Sequence, residues 1–488
     1  MRTLSTTVRL LFLAIVIVVV RGGGVLYSQA VDRSTPPALG AQPSMKLPPI
    51  QHLKLSNGLE LTVMEKHDVP LVQINVIIKT GSAMDPAGKS GLATMAADML
   101  DEGAGGRTAL ELADAVDFLG ADLSASAGHH TTVVSLFTPL SKLDSAITLL
   151  SDVVLRPTFP KDELDRLRKE RLTTFLQWRD QPQAISSVAF NSLLFGSRHP
   201  YGSTPLGNES SVRSLSASDL EKFHQQHYRP NNATVVIVGD VTPHLVSTMF
   251  ERVFGQWKGG SQMSGNWPQV SQVEQRVVYL VDKPGSAQSV IRIGRIGVER
   301  TTKDYFPLQV LNTILGGSFA SRLNQNLREE HGYTYGAGSA FDMRPLPGPF
   351  LAASSVQTDV TDKALVEFMK ELSDILKPIP EEELARAKNY LALGYPENFQ
   401  SVGQIASQLD EMVLYQLPSD YFNTYIPNVL QVTGDDVVRS ARTYLDPGKM
   451  LITVVGDRKS IEKGIRALNL GPVEILSIDE VLGKAPKL

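Results

Sequence analysis

The apolar run that decides the fold is ATVVIVGD, residues 233–240. A short run of β-branched residues is typical of a buried strand, and a glycine often marks where such a strand ends. The run follows the turn sequence Tyr228-Arg229-Pro230 and, before it, a helical pattern that the polar residues 216–219 open. We therefore predict the order helix, turn, buried strand and Gly-Asp exit.

The same order of elements returns in the second half of the chain. The run LITVVGD at residues 451–457 follows Tyr444-Leu445-Asp446-Pro447, and a helical pattern opened by residues 433–436 precedes it. Repetition of one ordered set of elements indicates two copies of a domain. The join between the copies should lie in residues 257–275, which are polar and rich in glycine and serine.

Composition excludes several classes of function. The chain has 488 residues, of which 42% are hydrophobic, so it can bury more than one core. The net charge is -4 and no basic block is present, which argues against a nucleic-acid partner. The absence of cysteine excludes disulfides, thiolate metal sites and a cysteine nucleophile.

The N-terminus has the pattern of a signal peptide. Arg2 and Arg9 precede an apolar run at residues 10–20, and the small residues 28–30 form a cleavage site. Arg21 and the glycines after it interrupt the run before it reaches the length of a spanning helix. We predict a signal peptide over residues 1–30, a flexible lead-in over 31–48 and an exported protein, with an uncleaved anchor as the alternative.

Helical and strand patterns alternate along the first half. The predicted strands are residues 71–79 and 131–138, and the predicted helices are residues 90–102, 108–119, 140–155 and 161–180. Thr108 and Glu111 have the spacing of a capping box at the start of the second helix. Strands and helices in mixed order favour an α+β fold.

Short motifs follow one another in a fixed order: LSNGL at 55–59, GSAMDP at 81–86, SGLA at 90–93, HPYG at 199–202, YRPNN at 228–232, LGG at 315–317, SRL at 321–323 and LRE at 327–329. In this order they resemble the insulinase, or pitrilysin, class of zinc metallopeptidases, in particular the shorter bacterial and mitochondrial-processing type. The resemblance covers almost the whole mature chain.

The resemblance implies an α+β fold of two homologous domains, each an antiparallel β-sheet backed by α-helices, which form half of a clamshell chamber. The implied division of the chain is an N-terminal domain at residues 49–258, a linker at 259–275, a C-terminal domain at 276–475 and a tail at 476–488.

The family's zinc motif, His-x-x-Glu-His, begins on the helix after Gly-Leu-Ala, and a glutamate on a later helix is the third ligand. Residues four apart lie on one helical face, so both imidazoles reach one Zn²⁺, and the glutamate between them activates water. The matching positions are Thr94, Ala97, Asp98 and Thr174. These four cannot hold zinc, and we interpret Asp98, Asp101 and Glu102 as a solvated acidic helix end.

Two pairs of histidines are candidates for a relocated metal site. His129 and His130 are neighbours in a predicted strand, so they should point to opposite faces and cannot share a metal. His224 and His227 lie three apart in a predicted helix and could form half a site, but no third ligand is evident. We predict that this chain binds no metal.

The second half retains two positions that the resemblance assigns to substrate binding. Arg328 and Tyr335 match the Arg and Tyr that reach across the family's cleft to the peptide at the zinc. A guanidinium can hold a peptide carbonyl, and a phenol can donate to the oxyanion formed in hydrolysis. The alternative is a surface arginine paired with Glu329 or Glu330 and a tyrosine that packs its ring.

An emptied zinc helix beside a retained Arg/Tyr pair resembles one half of a split enzyme. Our leading hypothesis is a non-catalytic, periplasmic subunit that is inactive alone and forms a heterodimer with a homologous zinc-bearing subunit, the cofactor Zn lying in that partner. Extended peptides would bind an edge strand, for which residues 121–127 are the candidate, with a packing strand as the alternative. The other hypotheses are a peptide-holding or structural scaffold without hydrolysis and, last, a peptidase active alone.

Overall fold

A computed structural model describes residues 45–261, 265 and 267–487 of the chain. The predicted signal peptide, residues 1–30, lies outside these residues, and so does all of the lead-in before residue 45. No helix in the described part of the chain is long and apolar enough to span a membrane.

The first sheet has six strands, all drawn from the first half of the chain. They are β1 (Gln51–Lys54), β2 (Glu60–Glu65), β3 (Leu71–Ile78), β6 (Asp122–Ala127), β7 (Thr132–Pro139) and β8 (Ala233–Gly239), while β4 (Gly103–Ala104) and β5 (Arg107–Thr108) form a separate small hairpin. The order across the sheet is β1-β2-β8-β3-β7-β6. The apolar run at residues 233–240 thus provides a central strand of this sheet.

The second sheet also has six strands and repeats the arrangement of the first. Its members are β9 (Val277–Asp282), β10 (Gln288–Ile296), β11 (Thr334–Phe341), β12 (Pro349–Gln357), β13 (Leu451–Gly456) and β14 (Val473–Leu476). The order β14-β9-β13-β10-β12-β11 places β13 where β8 lies in the first sheet. In both sheets this strand runs parallel to one neighbour and antiparallel to the other, which confirms the duplication read from the two runs.

Helices back both sheets. They are α1 (Leu92–Asp98), α2 (Ala109–Phe118), α3 (Leu143–Leu155), α4 (Lys161–Trp178), α5 (Pro182–Phe195), α6 (Glu209–Ser214), α7 (Ala217–His227), α8 (Pro243–Phe254), α9 (Tyr305–Leu315), α10 (Arg322–Asn324), α11 (Thr361–Asp374), α12 (Glu381–Gly394), α13 (Val402–Tyr415), α14 (Tyr421–Gln431), α15 (Gly434–Tyr444), α16 (Arg458–Ala467) and α17 (Ile478–Leu482). The predicted capping box of Thr108 and Glu111 is present at α2. The predicted α+β class is confirmed, each sheet being mixed rather than purely antiparallel.

Each half lends one helix to the sheet of the other half. Helix α5 packs on β10 and β13 of the second sheet, where Ile185 and Ala189 join an apolar cluster with Val290. In return α13 packs on β3 and β8 of the first sheet, and Asn75 of β3 donates a 2.6 Å hydrogen bond to Asp410 of α13. The boundary predicted at residues 259–275 therefore divides the strands, but the packing of the helices crosses it.

The C-terminal residues also return to the first half. Helix α17 packs on α5, and Arg179 donates from Nη1 to the carbonyl of Gly483 at 2.6 Å. Arg179 also pairs with Asp479. The segment predicted as a tail, residues 476–488, is thus held against the N-terminal half over the part that the structure describes.

Candidate functional site

Helix α1, the counterpart of the family's zinc helix, is capped by a carboxylate from outside the helix. Gly91 has the positive φ of 92° that lets the chain turn into the helix. Asp85 accepts hydrogen bonds from the backbone N–H groups of Gly91 and Ala93, at 2.7 and 2.8 Å. Burial raises the pKa of Asp85 to about 7 against the opposing effect of these bonds. The first turn of α1 is therefore fixed by a partly buried acid that sequence reasoning had not singled out.

A guanidinium lies between the two positions that match the family's histidines. Thr94 and Asp98 are one turn apart on α1, and Arg171 of α4 reaches both: its Nη1 donates to Thr94 Oγ1 at 3.1 Å and its Nη2 pairs with Asp98. The same Nη1 donates to the carbonyl of Gly91 at 3.0 Å. The Arg171 side chain is only 5% exposed. A fixed cation thus occupies the space that an ion shared by these positions would need.

The remaining motif positions supply no metal ligand. Ala97 is fully buried and has no group that can exchange a proton. Thr174, to which the third ligand was assigned by counting, donates its hydroxyl to the carbonyl of Glu170 in its own helix at 3.1 Å. Arg171, one turn earlier, is the residue of α4 that meets α1. This residue was missed because counting along a helix does not show which turn faces a neighbour.

This set of donors does not fit zinc. A structural or catalytic Zn²⁺ site needs three or four ligands among thiolates, imidazoles and carboxylates. Here one carboxylate is already paired with Arg171, and Thr94 donates to the carbonyl of Pro205 at 2.8 Å. Within residues 45–261, 265 and 267–487, no group of three or more His, Asp or Glu side chains is placed to hold a metal ion.

The interpretation of Asp98, Asp101 and Glu102 as a solvated acidic helix end agrees with their partial exposure but missed that two of them are ion-paired. Asp98 pairs with Arg171, and Glu102 pairs with Arg166. Burial raises the pKa of Asp101 to about 6, with the nearby carboxylates adding to the effect. Asp98 and Glu102 thus connect α1 to α4 through these arginines, while all three acids stay partly exposed.

His129 and His130 are not in a strand, which corrects the sequence prediction. They lie in the turn between β6 and β7, and both rings pack edge-on against Tyr201, with centroids 5.0 and 5.5 Å apart. Burial lowers the pKa of His129 to about 3 and that of His130 to about 4. They are neutral side chains around a phenol.

His224 and His227 of α7 are parts of the framework. His224 Nε2 bonds to the carbonyl of Val154 at 2.8 Å, and the ring of His227 packs on Phe223 with a centroid distance of 4.5 Å. Burial lowers the pKa of both imidazoles. Neither ring shares space with a third ligand among the described residues.

Arg328 lies in an unusual turn of helix. Residues Gln325–Glu330 continue α10 as a π-helical turn, a rare conformation that occurs often at functional sites. The guanidinium carbon lies 4.5 Å from the centre of the Phe319 ring, and Nε lies 3.4 Å from Glu329. The pairing with Glu329 expected for a plain surface arginine is thus present but long, and the ring of Phe319 holds the side chain.

Tyr335 stands in solvent beside this turn. It lies on β11, against which the π-helical turn packs, at a register shift between Thr334 and Ala337. The residue is 91% exposed, and no group in the described part of the chain hydrogen-bonds its hydroxyl. The packing role offered as the alternative is therefore not seen for its ring, and the hydroxyl is free to donate.

The two sheets differ at their outer edges. β6 and β11 are the equivalent edge strands, and on β11 the amide of Ala337 donates to Asn324 Oδ1 and the amide of Ser339 to the carbonyl of Gly316. Residues 122–127 of β6 make no hydrogen bond outside the pair with β7 in the described part of the chain. β6 also lies beside α1. Its edge is open for another strand, as predicted for residues 121–127, whereas that of β11 is covered.

Comparison with known proteins connects this geometry to a family. Residues 61–194 match the family model described as Insulinase (Peptidase family M16), and residues 214–391 match the one described as Peptidase M16 inactive domain. The two segments lie in the first half and across the start of the second, and they include α1, Arg328 and Tyr335.

Relatives match over most of their own length. An uncharacterized zinc protease of Rickettsia felis is 23% identical over 401 residues, which cover 80% of this chain and 93% of that protein. Zinc protease PqqE of Helicobacter pylori is 24% identical over 406 residues, covering 82% and 90%. The crystal structure of a peptidase M16 inactive domain from Pseudomonas fluorescens superposes with a TM-score of 0.78 at 26% identity, covering 83% of this chain and 97% of that one.

Proposed function

Since this chain belongs to the insulinase family of peptidases and lacks its zinc-binding motif, we propose that it is the non-catalytic subunit of a periplasmic zinc metalloendopeptidase. It binds the peptide and stabilises the oxyanion of the reaction, and a homologous partner subunit supplies the zinc and the general base. The chain alone hydrolyses nothing.

One asymmetry carries this proposal. The half that matches the zinc domain has its metal positions filled by Arg171, held by Thr94 and Asp98. The other half keeps Tyr335 exposed with a free phenol, beside a half-buried Arg328 whose one ion pair is 3.4 Å long. If the chain were only a scaffold, nothing would require Tyr335 to keep a free hydroxyl beside an arginine that makes only one long ion pair.

The chemistry of Arg328 and Tyr335 suits a peptide whose carbonyl is attacked by water that the partner subunit activates. A tyrosine hydroxyl donates one hydrogen bond, and donors aimed at a developing oxyanion stabilise it more than the ground-state carbonyl. The guanidinium can hold a neighbouring carbonyl and so fix the register of the peptide. Neither group needs a metal in its own chain.

The open edge of β6 supports binding of an extended peptide. A peptide can add to an exposed edge strand through main-chain hydrogen bonds, which are independent of its sequence. The last four residues of β6, SASA at 124–127, have small side chains, so another backbone can approach closely there. Because β6 adjoins α1, a peptide on this edge would lie beside the helix that matches the family's zinc helix.

The cellular location rests on the N-terminal pattern of residues 1–30. A cleaved signal peptide would release the chain into the periplasm, where the zinc-bearing subunit would join it. Detection of the mature N-terminus after residue 30 in a periplasmic fraction is the direct check.

The test is co-expression with a zinc-bearing homologue from the same cell, followed by copurification and cleavage of a quenched fluorescent peptide. Tyr335→Phe should lower kcat of the complex by about 10²-fold or more, the usual cost of losing an oxyanion donor. Arg328→Ala should lower it by about 10²-fold because the peptide loses its register. Tyr333→Phe and Arg252→Ala are matched controls, because Tyr333 stacks on His331 and Arg252 pairs with Asp144 on a distant helix.

The outcomes separate the alternatives. No complex and no cleavage that depends on Arg328 would refute the proposal. A complex that cuts at an unchanged rate in both variants would identify a scaffold that takes no part in hydrolysis. Stoichiometric zinc in the isolated chain, with cleavage by that chain alone, would identify an independent peptidase.

A further inference from the structure

An apolar groove beside Arg328 has no role in the function proposed so far. It lies between α9 and α12, holds about 160 Å³, and is lined by the rings of Phe319 and Tyr390 among others. Phe319 is 64% exposed and Tyr390 is 55% exposed, although most large apolar side chains of this chain are buried. Ile314 and Ala387 form its floor.

The exposure of Phe319 is built into the loop that carries it. Asn324 Nδ2 donates to the carbonyl of Phe319 at 2.7 Å, and Ser318 Oγ donates to the carbonyl of Thr313 at 3.1 Å. The guanidinium of Arg328 lies against the ring at 4.5 Å, a cation–π contact that fixes its plane. These contacts fix the position of the Phe319 ring where it lines the groove.

The groove is flanked by positive charge. Glu383, the one acid in its wall, is bound in a bidentate pair by Arg322 at 2.6 and 2.8 Å. Arg386 lines the groove and has no ion-pair partner in the described part of the chain, and Arg328 stands at the far side of Phe319. An occupant with a carboxylate next to its apolar group would complement both guanidiniums.

We propose that this groove is a subsite for one large apolar side chain of an extended peptide, with Arg328 and Arg386 favouring an acidic residue next to it. The volume is close to the roughly 150 Å³ of an apolar cavity that takes one benzene ring, so it suits one aromatic or branched side chain and not a helix. The inference rests on the proposed function, and it names the class of peptide that the Arg328 region selects.

The test compares fluorescein-labelled peptides by polarisation on the full chain, with and without the zinc-bearing partner. One peptide contains Asp-Phe, the second Asp-Ala and the third Lys-Phe at the same position. The Asp-Phe peptide should bind roughly tenfold or more tightly than Asp-Ala, the effect of burying a phenylalanine side chain. Its advantage over Lys-Phe should fall as salt is raised.

Three variants locate the effect. Phe319→Ala removes one wall, Ala320→Trp fills the groove from an exposed position, and both should abolish the preference for Phe over Ala. Arg386→Gln should reduce the preference for Asp over Lys. Phe118→Ala is the matched control, since Phe118 is 83% exposed in the other half and has Lys142 over its ring.

Two results would overturn the inference. If Phe319→Ala and Ala320→Trp keep the preference for Phe, the groove is not a subsite. If they instead weaken copurification with the partner and leave peptide preference intact, the groove is a subunit contact. In both cases the proposed function stands if Arg328→Ala loses peptide binding. The proposed function itself is refuted if neither the unmodified chain nor its complex binds any peptide.

Discussion

Replacing Asp98 by alanine would leave a buried cation without its carboxylate. Arg171 is 5% exposed and Asp98 41% exposed, so the guanidinium is dry while the acid is partly hydrated. After the change, Arg171 keeps its hydrogen bonds to Thr94 Oγ1 and to the carbonyl of Gly91. The charge itself would remain without a partner in contact.

The expected loss lies between two limits. Removing one partner of a fully buried ion pair costs about 3–5 kcal/mol, and removing one partner at the surface costs about 0–1 kcal/mol. Because the acid is partly hydrated and two hydrogen bonds to Arg171 survive, we expect about 2 kcal/mol for Asp98→Ala. Arg171→Met should cost less stability than Asp98→Ala, because the carboxylate left behind, Asp98, is 41% exposed and can turn to water.

Glu102→Ala is the matched control. Glu102 also ends the α1 region and also pairs with an arginine of α4, but that arginine, Arg166, is 45% exposed and keeps Glu163 and Glu170. Its loss should therefore cost about 0.5 kcal/mol or less. The two variants remove the same chemical group and differ in the cation that is left behind.

Hydrogen exchange of the α1 amides, residues 92–98, is the local measurement, because the opening free energy of one helix need not equal that of the whole chain. Urea unfolding followed by the fluorescence of the three tryptophans, which include Trp178 of α4, gives the global value. Equal losses in Asp98→Ala and Glu102→Ala, or unchanged exchange of α1 in both, would refute the view that Arg171 depends on Asp98.

Two further predictions concern buried charge and the lost metal. Burial raises the pKa of Asp410 to about 7, so its contribution to stability is full below its unfolded pKa of 3.8 and is lost as pH rises through 7. Asp410→Asn should therefore gain stability relative to the natural chain by about 1–3 kcal/mol between pH 5 and 8. Urea midpoints of the two proteins that stay parallel across this range would contradict the prediction. A triple variant with Thr94→His, Ala97→Glu and Asp98→His should bind no stoichiometric zinc while Arg171 remains. Adding Arg171→Glu should allow zinc to bind, and metal analysis after dialysis measures both. Zinc in the triple variant would show that the guanidinium does not block the site.

The repeated runs were sufficient to predict the duplication and the place of β8 and β13. Both depend on a local pattern, because a fully buried central strand must be apolar on both faces. The capping box at Thr108 was predictable for the same reason, since its two partners lie within one turn. Signals of this kind need no knowledge of the rest of the fold.

The exchange of α5 and α13 between the halves was beyond prediction. An apolar stripe tells that a helix is buried but not which sheet buries it. Counting pointed to Thr174 and not to Arg171 for a similar reason. Arginine is usually a surface residue, and only tertiary packing shows that Arg171 meets α1. His129 and His130 were assigned to a strand because the turn between β6 and β7 carries no proline and only one glycine, Gly128.

The open edge of β6 is the feature that a purely structural role explains least. An exposed edge strand invites pairing with other chains, and soluble proteins commonly cover it or place charges on it. Here the duplicated fold covers β11 with the segment that carries Gly316 and Asn324, yet leaves β6 open with a single charged residue, Asp122. Because β6 and β11 are equivalent strands of a duplicated domain, the same kind of segment could have covered either edge. Of these two equivalent edges, the one that stays open lies beside α1, and this is the observation on which the proposed peptide binding rests.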